Sequence, residues 1–139
     1  MIRTFFTDRN LGKQFPAILA AAGLQVERHH DLFPADGSDE QWLEYCGTNG
    51  RVAITHDQRI RHRVNERDAV MHHNVALLIV IGHAPYPELA KNFVATLPTI
   101  EAFPGKQVPP FIAKVYRPTP ADLVRNPAAR GEVSRWYPQ

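Results

Sequence analysis

The stretch Val75–Ile81 is seven apolar residues long and has no polar alternation. A strand with one wet face alternates, so an unbroken apolar run marks a strand covered on both sides. The run is far short of the ~20 residues a membrane-spanning helix needs. A strand buried this way requires helices above and below its sheet. The flanking sequence supplies them as an alternation of strand and helix, which implies a mostly parallel sheet.

Ile2–Thr7 reads as a first strand. Leu11, Phe15, Ile18, Leu19 and Ala22 follow at helical spacing, with a kink or restart at Pro16 and a stop at Gly23. Leu24–Arg28 is a second strand, and residues 29–37 form a loop with Pro34 and Gly37. Ser38-Asp39-Glu40-Gln41 has the form of a capping box, opening a helix that Gly47, Asn49 and Gly50 close. Arg51–Thr55 is the third strand, Asn65 caps a helix over 66–73, and Val75–Ile81 is the fourth strand. Leu89, Phe93, Leu97 and Ile100 trace a helix kinked at Pro98, and Phe111–Tyr116 after Pro109-Pro110 is the fifth strand. The expected fold is a three-layer α/β/α sandwich on a mostly parallel five-stranded sheet. It spans residues 1–117 and is followed by a Pro/Arg-rich tail, 118–139, that either docks or stays loose.

With 139 residues, the chain has the length of one domain. Its single cysteine, Cys46, excludes a disulfide framework and reads as a core residue. The opening MIRTFFTDRN has no signal-peptide layout. These features predict a soluble, cytoplasmic protein with no membrane segment. The net charge of +2 is modest, but twelve of the sixteen basic residues are Arg.

Ligands of open α/β sheets bind beyond the carboxyl ends of the strands. Asp8 follows the first strand and Asp57 the third. If those strands are neighbours, their ends lie ~4.8 Å apart. Two carboxylates that close repel unless a cation neutralises them. Oxygen-only ligands suit Mg²⁺ or Mn²⁺. Asp39 shares a helical stripe with Trp42, Leu43 and Cys46, so it should point inward at the same end. Glu40 lies about 100° round the helix, as a water-bridged or substitute ligand. Taken singly, Asp8 and Asp57 could be turn caps and Asp39 a dipole-stabilised first-turn acid. Their joint placement is what carries the reading.

The segments FFTDRNLG (5–12), SDEQWL (38–43) and VAITHDQRI (52–60) resemble, in order and spacing, the PIN-like nuclease superfamily. NERDAV (65–70), VALLIVIG (75–82) and PPFIAKVYR (109–117) are similar to its VapC-like toxin branch. The resemblance implies a metal-dependent endoribonuclease whose acidic cluster is Asp8, Asp39 and Asp57. Thr55 matches the family threonine two residues before the third acid, where its hydroxyl can hold water or a ligand, and Asn10 is taken as a second supporting residue. Many members place a fourth acid just beyond; Gln58 and Arg59 stand there here. That leaves one metal, or a second held partly by substrate phosphate. The implied partners are RNA and a protein antitoxin, with a homodimer left open.

Arg59, Arg61 and Arg63 follow Asp57 with no acid from Gln58 to Val64. Together with Arg9 they are the expected RNA-binding residues. His29-His30 and His72-His73 lack zinc spacing and read as surface or loop histidines, and His56 as a residue that could touch substrate. A phosphotransfer receiver would need paired acids after the first strand and a lysine after the last, whereas Lys114 lies within the last strand. The remaining alternative is a catalytically weak nucleic-acid- or partner-binding module on the same fold.

Overall fold

The computed structural model of the chain describes residues 3–106 and 108–138, apart from the side chains of residues 61 and 104–106. The apolar run forms β4, Ala76–Ile81, buried from its first residue to Val80. β4 pairs in parallel with β3 (Val52–Thr55) on one side and β5 (Phe111–Tyr116) on the other. β1 (Thr4–Thr7) lies parallel between β3 and β2 (Gln25–Arg28). The expected start of β1, Ile2, lies outside the described residues.

A sixth strand, β6 (Val133–Tyr137), runs antiparallel along β5, giving the order β2-β1-β3-β4-β5-β6. This corrects the expected five strands. The segment is a partly exposed edge strand with Ser134 and Arg135 between its larger residues, so its apolar signal is faint. Cationic side chains help hold it in place. Lys114 Nζ sits 4.1 Å from the centre of the Trp136 ring, and the Arg67 guanidinium 5.2 Å from that of Tyr137. The segment read as a tail therefore docks through β6 and also carries a short helix, α7 (Pro120–Arg125), opened by a capping box between Thr119 and Asp122.

Alternation along the strands divides the interior into two cores, one on each face of the sheet. Phe5, Val52, Ile54, Leu78 and Val115 face the helices α1 (Gln14–Ala21), α5 (Tyr86–Ala95) and α6 (Leu97–Lys106). Phe6, Ala53, Leu77, Ile79 and Ile112 face α3 (Asp39–Asn49) and α4 (Val64–His72). This is the three-layer arrangement expected. Trp42, Leu43 and Cys46 are fully buried, which fixes the face α3 presents to the sheet.

Local chemistry differs from the sequence reading at several helix ends. Ser38 is the N-cap of α3 but makes no side-chain cap bond, so the capping box is not formed. Arg63, not Asn65, precedes the first residue of α4. Residues 29–32 form a one-turn helix, α2 (His29–Leu32), where a loop was expected. Pro16 lies in the first turn of α1 and Pro98 in that of α6, where a missing N–H costs nothing. Neither proline kinks a helix, and Pro98 instead marks a break between α5 and α6.

Gly47 lies inside α3, where glycine normally costs about 1 kcal/mol relative to alanine. Here a Cβ would overlap the backbone carbonyl of His73, just beyond α4. Gly47→Ala should therefore destabilise the protein, by about 1–3 kcal/mol as in other overpacked sites. Urea unfolding measures the sign, and a gain in stability would show that the two helices tolerate the extra carbon.

Candidate functional site

The chain leaves β1 toward β2 on one side, then returns to place β3 on the other. The strand order therefore reverses between β1 and β3, which makes their carboxyl ends the switch point. The Asp8 N–H extends the ladder by donating to the Ile54 carbonyl at 2.9 Å. Asp8 then caps a 3₁₀ turn, Arg9–Leu11, accepting from the Arg9 N–H at 2.7 Å. Asp57 caps a second turn, Gln58–His62, accepting from the Arg59 N–H at 3.0 Å. Both acids thus do the capping that each could do alone, and they do it at one edge of one sheet.

The fully buried Thr55 ties them together. Its hydroxyl donates to Asp8 Oδ2 at 2.8 Å. It accepts from Asn10 Nδ2 at 3.1 Å and from the Asp57 N–H at 3.2 Å. One proton and two lone pairs are all a hydroxyl has, and all are used. Asn10 in turn accepts from the His56 N–H at 3.2 Å. The hydroxyl expected to hold water or a ligand is thus committed to the chain itself.

Asp39 comes from the first turn of α3, half-buried, while Glu40 beside it is exposed. The indole of Trp42 donates to Asp39 Oδ1 at 2.9 Å and stacks on Phe6, with ring centres 5.6 Å apart. Arg63 reaches in from the start of α4. Its Nη1 lies 2.7 Å from Asp57 Oδ2 and 3.7 Å from Asp39 Oδ2. Sequence reasoning missed Trp42 as the residue that orients Asp39; their separation of three on one helix face was the available signal.

Burial pushes the Asp8 carboxyl up to about 6. The bonds from Thr55 and the Arg9 N–H pull it down, and the charges of Asp39 and Asp57 push it up again. The field of the other two acids therefore reaches Asp8. Three carboxylates form an oxygen-only donor set, whose chemistry fits a hard divalent ion. Among the described residues, however, no three His, Cys, Asp or Glu side chains are gathered closely enough to hold one. Each acid is instead bonded by the chain itself.

The family model of the PIN-like domain matches residues 3–82, more than half of the chain. The chain belongs to this family. Comparison with curated proteins and with solved structures finds no match. The matched stretch contains β1 to β4 and with them Asp8, Asp39, Thr55 and Asp57. PIN-like domains are commonly nucleases.

In this PIN-like domain the expected RNA-binding arginines occupy unlike positions. Arg59 has an exposed side chain, at 80%, with a long 3.4 Å contact to Asp57. Arg63 is held between two acids, as above, and the side chain of Arg61 lies outside the described residues. Arg9 is committed to three groups of the chain. It donates from Nε to His29 Nδ1 at 3.2 Å and from Nη2 to the Phe33 carbonyl at 2.9 Å, and its Nη1 lies 2.9 Å from His30 Nδ1. An arginine only donates, so both imidazoles carry their proton on Nε2. His29 is buried rather than a surface residue, because α2 turns it under Phe6 and Phe33. Burial, and then Arg9, hold its pKa below the ordinary imidazole range. His56 lies at the other side of the site, its Nδ1 2.8 Å from the Val80 carbonyl. A cavity of about 150 Å³ opens beside Asp8, lined also by Thr7, Lys13, Arg28 and His30.

The raised pKa of Asp8 has a consequence for stability. The folded state holds this proton more tightly than the unfolded chain, where the group titrates near 3.8. The stability it contributes is full below 3.8 and is lost as pH rises through about 6. The displacement corresponds to at most about 3 kcal/mol. Asp8→Asn should therefore be more stable than the wild type at pH 8, by about 1–2 kcal/mol, with the advantage fading by pH 4. Thermal melts across this range measure it, and an advantage independent of pH would contradict the assignment.

Proposed function

We propose that the chain is a Mg²⁺- or Mn²⁺-dependent endoribonuclease of the VapC-like toxin type, restrained by a protein antitoxin. The observation that supports this reading is the placement of Asp8 and Asp57 at the β1/β3 switch point, joined through the Thr55 hydroxyl, with Asp39 linked to Asp57 through Arg63. Membership of the PIN-like family supports hydrolysis of phosphodiesters. The choice of RNA rests on the resemblance of segments 65–70, 75–82 and 109–117 to the toxin branch.

Asp8, Asp39 and Asp57 would hold the ion, which supplies positive charge for activating water and neutralising the scissile phosphate. The chain's own contributions are positional. Thr55 fixes the Asp8 carboxylate and the Asp57 backbone, and Trp42 fixes the rotamer of Asp39. Arg59, exposed beside Asp57, presents a fork to an incoming phosphate. A second reading, a nucleic-acid- or partner-binding module with little catalysis, is favoured by Gln58 and Arg59 standing where many members have a fourth acid.

Cleavage of single-stranded RNA with Mg²⁺ or Mn²⁺, abolished by chelator, separates the two readings. Asp8→Asn, Asp39→Asn and Asp57→Asn should each remove activity. Thr55→Val should lower it by about 10–100-fold, the usual cost of losing a residue that only orients a ligand. Full activity in any two of the Asp variants would overturn the site. Expression of the chain alone should slow growth, with relief by a small co-expressed partner and no slowing by Asp57→Asn. RNA binding without chelator-sensitive cleavage would favour the binding module.

A further inference from the structure

Asp57 Oδ1 is held by the Arg59 N–H, and Asp39 Oδ1 by the Trp42 indole. The two remaining oxygens, Asp57 Oδ2 and Asp39 Oδ2, both face one atom, Arg63 Nη1, at 2.7 and 3.7 Å. The base of Arg63 is fixed. It ends the 3₁₀ turn Gln58–His62 and precedes α4, with its N–H donating to the Ile60 carbonyl at 3.4 Å. Ile60 is fully buried beneath it. Only the side chain is free to leave, and about a third of it is exposed.

From this geometry we infer that Arg63 is a resident counter-cation that competes with a divalent ion for Asp39 and Asp57 and thereby sets the ion affinity. The inference rests on the metal-site reading above. Two carboxylates this close need a positive charge, and the guanidinium supplies one. A divalent ion supplies two in the same place and repels the guanidinium, so both cannot occupy the gap. The displaced arginine stays tethered at the rim, where a bidentate fork suits a phosphate oxygen pair. The internal pairing and the RNA grip expected from sequence then belong to two positions of one side chain.

The test compares Mn²⁺ binding by the full-length wild type, Arg63→Met and Asp57→Asn, using calorimetry at low salt. Methionine keeps an unbranched stem and removes the charge. Arg63→Met should bind Mn²⁺ at least tenfold more tightly than the wild type. Its metal-free form should melt lower, because Asp39 and Asp57 are left unopposed, and Mn²⁺ should raise its Tm more than that of the wild type. If Asp57→Asn loses binding while Arg63→Met shows no gain, competition is overturned and the metal site stands. If no form binds Mn²⁺, both are overturned. Should Arg63→Met fail to fold, Mg²⁺ titration of the wild type followed by the ¹⁵N resonance of Arg63 Nε decides. A shift that tracks Mg²⁺ saturation supports displacement, and an unmoved resonance at saturation overturns it.

Discussion

The hydroxyl of Thr55 sits where β1 and β3 part, and three groups of the site reach it at once. Its position follows from the sheet. β1 and β3 are parallel neighbours, so the residues after each emerge side by side, and the last residue of β3 is buried between them. With every valence of the hydroxyl used, the Asp8 rotamer, the Asn10 amide and the Asp57 backbone cannot be adjusted one at a time. A valine there would match the shape and take away the acceptor of two part-buried donors, Asn10 Nδ2 and the Asp57 N–H, along with the bond to Asp8.

Around that anchor the electrostatics are a balance of repulsion and local relief. Asp8 is half-buried and lies in the field of two other acids, so its proton is held unusually tightly. Asp39 and Asp57 are relieved by the Trp42 indole, by the Arg59 N–H and by Arg63. The relief comes from elements on both sides of Asp57 in the chain: α3 before it, and the 3₁₀ turn and α4 after it. Folding of the α3–α4 layer and charge neutralisation at the sheet edge are therefore one process.

Much of this was legible because it depends on period and position. The apolar run of β4 announced a doubly covered sheet, and the strand ends then located Asp8 and Asp57. The stripe of Trp42, Leu43 and Cys46 oriented Asp39 correctly because all three residues are buried. What escaped depends on partners distant in sequence. β6 has no strong pattern of its own and is held by Lys114 and Arg67 from other elements. The turn over His29 is stabilised by Arg9, twenty residues earlier. Ser38 has a capping residue's identity without its bond, since local sequence cannot guarantee a rotamer. Arg63 looked like part of an exposed basic run, and nothing in its spacing said it would fold back between two acids.

The family match ends at residue 82, just past β4, and every acid of the cluster lies before that point. The remainder of the chain supplies no site acid, yet it cannot be discarded. A piece ending there would leave β4, six apolar residues long, as an unpaired edge. Such an edge is a template for association with another chain. β5 covers it, and β6 then covers β5 with a shorter strand bearing Ser134 and Arg135. The second half of the protein thus acts as a guard on the first. During synthesis the acids emerge from the ribosome before the strands that keep their sheet from sticking to its neighbours.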